Sequence, residues 1–472
     1  MPKRILIIGA GEAGRMVVRE IVAHPEIGYE VAGFLDDQAA LQGKTVEGVP
    51  VLGTCRELIE VARRTPLDEA IISIPSAERE VIRRIIGLCR DAGLPLRIVP
   101  GLLEIIKGSV GLEQIREVHP EDLLGRETVE FDEAALSGAI GGRRVLVTGA
   151  GGSIGGEICR QIGRFRPANL LLLGRGENRI YDIEYELRNR FPDVRIEAVI
   201  ADIRDQRGLF YLFDRCRPEY IFHTAAHKHV HYMEAFPEEA VINNIFGTAN
   251  IIEVCQRTGV ERLVMLSTDK AVAPKGVMGA TKRLAEYLMV DGSAKTGQTR
   301  LITVRFGNVL GSRGSVVPLF ISQIRSGGPV TVSDSEASRF FMTLKEACML
   351  VVQAAILGRG GEIFILRMGE PIKIIEMARD LITLHGLRPD IDVPIKLIGL
   401  RPGEKLRESL SAEGEAVADS SHPQILTTRA AVPAGLDIRQ ALQRLKELVA
   451  GGDAKGIKAF LNEIIPDAEI DL

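Results

Sequence analysis

The chain has 472 residues, 46% hydrophobic and 26% charged, with a formal net charge of −4. That length allows about three domains of ordinary size, and the composition is that of a folded globular protein rather than a disordered one. The small net charge gives no electrostatic ground for binding nucleic acid or an anionic membrane. The six cysteines (55, 89, 159, 216, 255 and 348) form no C-x-x-C pair, which favours buried thiols in a reducing compartment over disulfides or zinc. No apolar run reaches the roughly 18 residues of a membrane span; the longest, from Ala347 to Gly358, is broken by Gln353. Lys3-Arg4 before Ile5–Ile8 could pass for a signal start, but Glu12 and Arg15 interrupt it. A cytoplasmic location without a membrane span is expected.

Residues 4–14 read RILIIGAGEAG, a strand followed by Gly9, Gly11 and Gly14 at the opening of a helix. This is the dinucleotide-binding fingerprint in its expected context. The second strand, Tyr29–Leu35, ends in Asp36-Asp37, where an acid could take a ribose diol. Further strands are expected at Glu69–Ile74 and Leu96–Val99, with a helix from Glu78 to Ala92 between them. Residues 1–125 thus form a Rossmann-like domain with a possible second nucleotide site at Gly9, Gly11, Gly14 and Asp36. Residues 126–142 read as a linker.

Residues 143–156 repeat the theme as RRVLVTGAGGSIGG, with Thr148, Gly149, Gly152 and Gly155 in the pattern T-G-x-x-G-x-x-G. Glycines there permit the tight turn and let backbone N–H groups approach a pyrophosphate at the helix start. A helix is expected from Glu157 to Phe165. The strand Asn169–Leu173 ends in Gly174-Arg175. Glycine replaces the acid that would bind a 2′-hydroxyl, and Arg175 could accommodate a 2′-phosphate or stack on adenine. Asp202, after the strand Ile196–Ile200, stands where an adenine-edge contact could arise. His223, His227 and His229 follow the strand Tyr220–Phe222, but without the further ligands of a zinc site, so no metal is expected. Ala225-Ala226 suits a close approach of backbone to cofactor. Asn243-Asn244 and Gly247-Thr248 open the next helix.

Leu263–Leu266 reads as a buried strand, and Ser267-Thr268-Asp269-Lys270 emerges from its carboxyl end, where open α/β sheets place their ligands. Met278–Met289 resumes helical spacing, with Lys282 one turn past Met278. A hydroxyl, a carboxylate and two amines in this order could handle protons; the plainer reading is a helix cap with solvated lysines.

The segments TGAGGSIG (148–155), KHVHYME (228–234), NNIFGT (243–248), LSTDKAV (266–272), VMGATKR (277–283), VRFGNVLGSRGSVVPLF (304–320), SRFFMT (338–343) and GLRPGEKL (399–406) together resemble the UDP-N-acetylglucosamine 4,6-dehydratases of the capsular-polysaccharide, membrane-type family. These are extended short-chain dehydrogenase/reductases, and the resemblance covers residues 1 to about 410. It implies an α/β chain of two Rossmann-like doubly wound parallel-sheet domains. The first, 1–125, would be CoA- or nucleotide-binding-like. The second has an NAD(P)-binding core at 143–315 and a small, mainly UDP-sugar lobe at 316–425, with a helical tail at 426–472. The chain departs from the family's common patterns in three ways. Met278 stands where most short-chain dehydrogenases have tyrosine, Gly174 replaces an acid, and the chain begins directly on the first domain's first strand, where many relatives have membrane helices, as a natural soluble form or a trimmed chain would.

The resemblance implies oxidation at C4, loss of water across C5–C6 and return of hydride to C6. NAD(P) would be tightly bound and regenerated each turnover. Lys270 would be the base at C5 and Asp269 the acid at O6, each with its pKa moved toward neutrality. Lys282 would hold the nicotinamide ribose, and Thr268 would bond O4. The Met278 variant leans toward retention at C5. Cofactor contacts are expected from Thr148, Gly149, Gly152, Ser153, Ile154, Gly155, Arg175, Asn178, Asp202, Ile203, Ala225, Ala226 and Lys282. Substrate contacts are expected from Lys228, Arg305, Asn308, Arg313, Val317, Arg339, Arg401 and Glu404, the arginines because guanidinium forks suit phosphate. Ile438–Ile465, spaced as two amphipathic helices, would serve packing or self-association in a homo-oligomer. Two alternatives stand on the same scaffold, a UDP-sugar 4-epimerase and an inactive nucleotide-binding regulatory protein.

Overall fold

The structure, a computed structural model, describes residues 2–74, 77–99, 115–124, 129, 131–295 and 298–472. It divides the chain into two compact units. One holds Met1–Glu130, Val316–Val332 and Ile375–Leu397; the other holds Phe131–Ser315, Ser333–Ile374 and Ile398–Leu472.

The first unit carries strands β1 (Lys3–Ile8), β2 (Tyr29–Leu35), β3 (Thr45–Val46), β4 (Val49–Gly53), β5 (Glu69–Ile72), β6 (Leu96–Ile98) and β7 (Arg116–Glu117), in the sheet order β3-β4-β2-β1-β5-β6-β7. β1 is parallel to both β2 and β5. Side chains alternate across a sheet, so Ile5 and Ile7 enter one apolar cluster while Leu6 and Ile8 enter another. Cores on both faces explain why β1 reads as an unbroken apolar run. The helix Arg79–Asp91 buries Ile82, Ile85, Ile86 and Cys89 against this sheet. Asp380, on the helix Ile374–Leu384, pairs with both Arg79 (2.8 Å) and Arg83, and Leu384 joins the same apolar cluster. These contacts place 375–397 with the first unit, whereas the sequence suggested one continuous lobe over 316–425. Pairs some 300 positions apart leave no local signal.

The second unit is built on β8 (Arg144–Thr148), β9 (Asn169–Gly174), β10 (Ile196–Ile200), β11 (Tyr220–His223), β12 (Arg262–Thr268) and β13 (Arg300–Phe306). Their order is β10-β9-β8-β11-β12-β13, followed by Ile363–Leu366, Ile425–Thr428 and Ala418–Asp419. β8 to β13 are parallel, and the strand order reverses between β8 and β11. That reversal is the topological switch point at which open α/β sheets bind ligands.

There are three local departures from the expected elements, the first two with simple causes. Residues 126–128 and 130 of the expected linker lie outside the described residues, but Glu133–Ile140 within it is a helix. Asp132 accepts from Ala135 N and caps it, while Leu136 and Ile140, one turn apart, are buried; eight residues are too few to show a period. The helix expected at Glu157 begins at Ser153, because the last glycines of the loop already form its first turn. Val241–Phe246 makes a wide π-helical turn before the helix Gly247–Thr258.

The helix Val277–Lys295 has every residue from Val277 to Met289 buried. Two tail helices contribute to its cover. Ile438–Ala450 is capped by Asp437 and buries Ile438, Ala441, Leu445 and Leu448, while Ala454–Ile464 is capped by Asp453 and buries Ile457, Leu461 and Ile464. All seven join the apolar cluster that contains Val277, Met278 and Leu284, at about 1.5–3 kcal/mol for each large side chain removed from water. All six cysteines are free and five are buried. Among the described residues no helix is long and apolar enough to cross a membrane.

Candidate active site at the carboxyl edge of the second sheet

Parallel pairing in register brings four chain ends to one edge: Thr148 beside His223, and Thr268 beside Phe306. The glycine loop after β8 is shaped for close approach. Gly149 has φ +69°, and a Cβ there would lie 2.9 Å from Ala225 N; a Cβ at Gly155 would lie 2.3 Å from Gly149 O. Neither position tolerates a side chain. In front of the loop opens a cavity of about 440 Å³. Of the expected cofactor residues it brings together Gly149, Gly152, Arg175, Asp202, Ile203, Ala225 and Ala226, and it adds Arg179, His227 and Asn243. This volume and its glycine floor suit part of a dinucleotide.

The remaining expected cofactor residues play other parts in this geometry. Thr148 is fully buried, and its hydroxyl meets His223 Nδ1 at 2.8 Å. Thr248 Oγ1 donates to Asn244 O at 2.7 Å, so at 3.1 Å it accepts from His223 Nε2–H, and Thr148 donates to Nδ1. Burial, with the Lys282 charge nearby, pushes His223 down to about 3. It is a neutral strut between strand ends. Among the described residues no cluster of His, Cys, Asp or Glu is placed to hold a metal. Gly155 lies behind the loop. Ser153 and Ile154 form the first turn of the helix, and Ser153 Oγ accepts from Arg313 N at 3.0 Å. Asn178 is exposed on the helix Glu177–Arg190 and does not line the cavity. The Asp202 carboxylate is taken by Arg204 at 2.8 Å, with Arg175 3.8 Å away.

After β12 a short turn, Asp269–Ala271, presents the proton-handling set. Asp269 is fully buried; its Oδ1 accepts from Thr268 Oγ1 and from Lys270 Nζ, each at 2.9 Å, while Oδ2 has no hydrogen-bond partner among the described residues. Lys270 also donates to Asn308 Oδ1 at 3.2 Å and lies 3.6 Å from Glu408. Here the sequence expectation needs correction. Burial alone would push Lys270 down, but the carboxylates of Asp269 and Glu408 outweigh it and raise Lys270 above the ordinary lysine value. Lys270 therefore rests as an ammonium. Lys282 does move toward neutrality, pushed by burial to about 8. Met278 is buried, and its carbonyl accepts from Thr281 Oγ1. Asn244 ties this helix to the loop after β11, donating to Thr281 Oγ1 at 3.1 Å and to His227 O at 3.0 Å.

The expected substrate residues divide. Arg305 is fully buried: it meets Glu286 through Nε (3.1 Å) and Nη2 (2.8 Å), Glu415 through Nη1 (2.8 Å), and Leu410 O at 2.9 Å. It cannot offer a fork to phosphate. β13 alternates faces, and Arg305 falls on an inner one, which a motif match does not reveal. Val317 is buried on the helix Val316–Arg325 of the first unit. Arg339 spends its guanidinium on Ser338 O, Leu406 O and Lys405 O. Lys228 Nζ donates to Arg313 O at 2.6 Å, and Arg313 Nη1 reaches Gly151 O at 3.3 Å, so both border the glycine loop. Arg401 is exposed, and its N–H donates to Glu404 Oε2 at 3.2 Å.

Glu408 went unread in the sequence. Its side chain is 2% exposed and lies 3.2 Å from Lys405, 3.6 Å from Lys270 and 3.9 Å from Arg339. An acid three places after Lys405 in the RPGEK segment was the available signal.

In the first unit the fingerprint turn is formed, with Gly9 at φ +103° and a Gly14 Cβ only 2.0 Å from Gly9 O. Asp36 is not turned outward to a ribose. Its carboxylate accepts from Ala10 N and Gln38 N, each at 2.8 Å, and so braces the turn itself.

The second unit's strand order, glycine cradle and edge cavity define a Rossmann-type nucleotide-binding fold of the extended short-chain dehydrogenase/reductase kind. The chain belongs to the family described as polysaccharide biosynthesis protein, which matches residues 145–430. A second family, described as CoA-binding domain, matches residues 3–100. The chain is 44% identical over 423 residues to the probable polysaccharide biosynthesis protein EpsC of Bacillus subtilis, covering 89% of this chain and 70% of that one. It is 33% identical over 285 residues (60% and 79%) to the UDP-N-acetylglucosamine 4,6-dehydratase (inverting) of Campylobacter jejuni. It is 34% identical over 288 residues (59% and 80%) to the UDP-glucose 4-epimerase of Rickettsia prowazekii. The solved structure of Pen from Bacillus thuringiensis is similar at TM-score 0.58 and 32% identity, over 66% of this chain and 99% of that one.

Proposed function

We propose that the chain is a UDP-N-acetylglucosamine 4,6-dehydratase acting in polysaccharide biosynthesis. It would form UDP-2-acetamido-2,6-dideoxy-hexos-4-ulose, with NAD(P) held on the glycine loop. The observation that carries this reading is the buried Asp269–Lys270 pair at the end of β12, since 4-epimerisation has no use for an acid and a base at C5 and C6. Bound NAD(P) supplies hydride acceptance from C4 and hydride return to C6.

The residues close the proton cycle as follows. With Lys270 neutral and Asp269 ionised, the O4 proton passes to Thr268 Oγ1, whose own proton moves along the 2.9 Å bond to Asp269. This supplies the acceptor that Met278 cannot. Lys270 then takes the C5 proton, made acidic by the 4-ketone, while Asp269 protonates the departing C6 hydroxyl. Lys270 finally returns a proton to C5, and both side chains regain their starting state. Resting Lys270 holds one proton more than this cycle uses, so turnover rises with pH as Lys270 loses it. Lys282, still largely charged near neutrality, favours alkoxide character at O4. Lys228, Asn308, Arg313, Arg401 and Glu404 remain for the UDP-sugar.

Incubation with UDP-N-acetylglucosamine in deuterated water tests the reading. Loss of water with one deuteron at C5 is expected; a C4 epimer with C6 still hydroxylated would show an epimerase instead.

A further inference from the structure

The tail beyond Ile465 is pinned rather than free. Ile470 is buried, and Asn462 holds it by two reciprocal bonds, Nδ2 to Ile470 O and Ile470 N to Oδ1, each 2.9 Å. Residues 467–469 are thereby set against 271–277, the segment joining Asp269-Lys270 to the helix that carries Met278 and Lys282. Ala273 N donates to Asp467 Oδ2 at 3.0 Å, and Glu469 N donates to Pro274 O at 2.9 Å. Val277 N donates to Glu234 Oε1 at 2.5 Å, and the other Glu234 oxygen lies 3.1 Å from Lys458 Nζ on the last helix.

The segment needs such restraint. Ala273 has φ +40°, in the left-handed region that costs any residue with a Cβ and persists only where surroundings enforce it. A Cβ on Gly279 would sit 2.2 Å from Lys270 O, so the first turn of the Lys282 helix rests directly on the Lys270 backbone. A shift in 271–277 therefore changes the position of Lys270 relative to Lys282. The tail lies beyond residue 430, where the family match ends.

We propose that the C-terminal segment 458–470 is a clamp that sets the spacing between the Asp269–Lys270 pair and Lys282, with Asp467 as its chief positioning residue. The proposal rests on the dehydratase reading for its kinetic consequence, though not for its structural one. The test uses full-length protein carrying Asp467→Ala or Asp467→Asn; asparagine can still accept from Ala273 N. Asp467→Ala should lower kcat on the order of tenfold to a hundredfold, as misplacement of reacting groups does. KM and cofactor affinity should stay near wild type, and amide exchange over 271–277 should quicken. Asp467→Asn should restore both kcat and exchange protection. Wild-type exchange in Asp467→Ala, or an asparagine variant as impaired as the alanine one, would overturn the clamp. Exchange is read without substrate, so it decides the clamp even if the wild-type chain does not dehydrate the sugar, a result that would remove only the dehydratase reading.

Discussion

Replacing Arg305 by methionine separates a structural arginine from a substrate-binding one. The side chain makes five bonds, four of them to the carboxylates of Glu286 and Glu415, and none of its surface is exposed. Methionine fills much of the space but leaves both acids with Arg283 as their remaining guanidinium partner. Breaking a buried pair in this way costs about 3–5 kcal/mol. Glu415 supplies a second readout. Burial would raise it, but bonding to Arg305 and Arg283 holds it down to about 2, against an ordinary value of 4.5. A depressed carboxyl contributes stability that is full above its unfolded pKa and lost as pH falls through the folded one. Between pH 5 and pH 2 the wild-type second unit should thus lose about 3 kcal/mol from this group, and the variant distinctly less. With no tryptophan in the chain, urea titrations followed by far-UV circular dichroism are the assay. An unchanged midpoint together with a raised KM for the UDP-sugar would show that Arg305 reaches substrate after all.

Three further outcomes follow from the site. Gly155→Ala should abolish retention of NAD(P), read by calorimetry on a protein that still folds, because its Cβ would meet Gly149 O at 2.3 Å; micromolar binding would contradict the cradle. Glu408→Gln should raise kcat/KM at neutral pH, where little Lys270 is neutral, since one of the two carboxylates that raise Lys270 is gone; an unchanged or lower value would remove Glu408 from the proton inventory. Lys282, depressed to about 8, should lose its charge as pH rises through that value; because Lys270 is raised above the ordinary lysine value, this cancels the gain from Lys270 deprotonation, and kcat should level off above about pH 8 instead of rising further. The sign for stability is opposite: between about pH 8 and 10.5 the unfolded chain holds the extra proton, so burial of Lys282 becomes less costly with pH. Lys282→Met should therefore be stabilised most at neutral pH, a gain that urea titrations must show shrinking by pH 9.5.

Much of the second unit's edge could be read from the chain because strand, loop chemistry and helix follow one another locally. The Gly149 and Gly155 positions, the Ala225-Ala226 turn and the placement of Asp269-Lys270 at a strand end all rest on neighbours within a few residues. What could not be read depends on distant partners. The charge of Lys270 is held up in part by Glu408, 138 positions away, and Arg305 is bonded inside the fold by Glu415, 110 positions away. Asp36 looked like a ribose ligand because its place after a second strand is right, yet its carboxylate turns back to Ala10 N. The helical spacing of Met278–Met289 could be read, but not that the helix Val277–Lys295 is covered nearly all round there, in part by helices from the tail.

The central claim is that hydride removed from C4 returns to C6 after Asp269 and Lys270 have expelled water. UDP-N-acetylglucosamine carrying deuterium at C4 tests this most directly, with the product read by mass spectrometry and NMR. The deuterium should appear on C6 of a 4-keto sugar from wild-type protein, with Asp269→Asn and Lys270→Ala each failing to transfer it. Deuterium found back on C4 of an intact hexose would contradict the account.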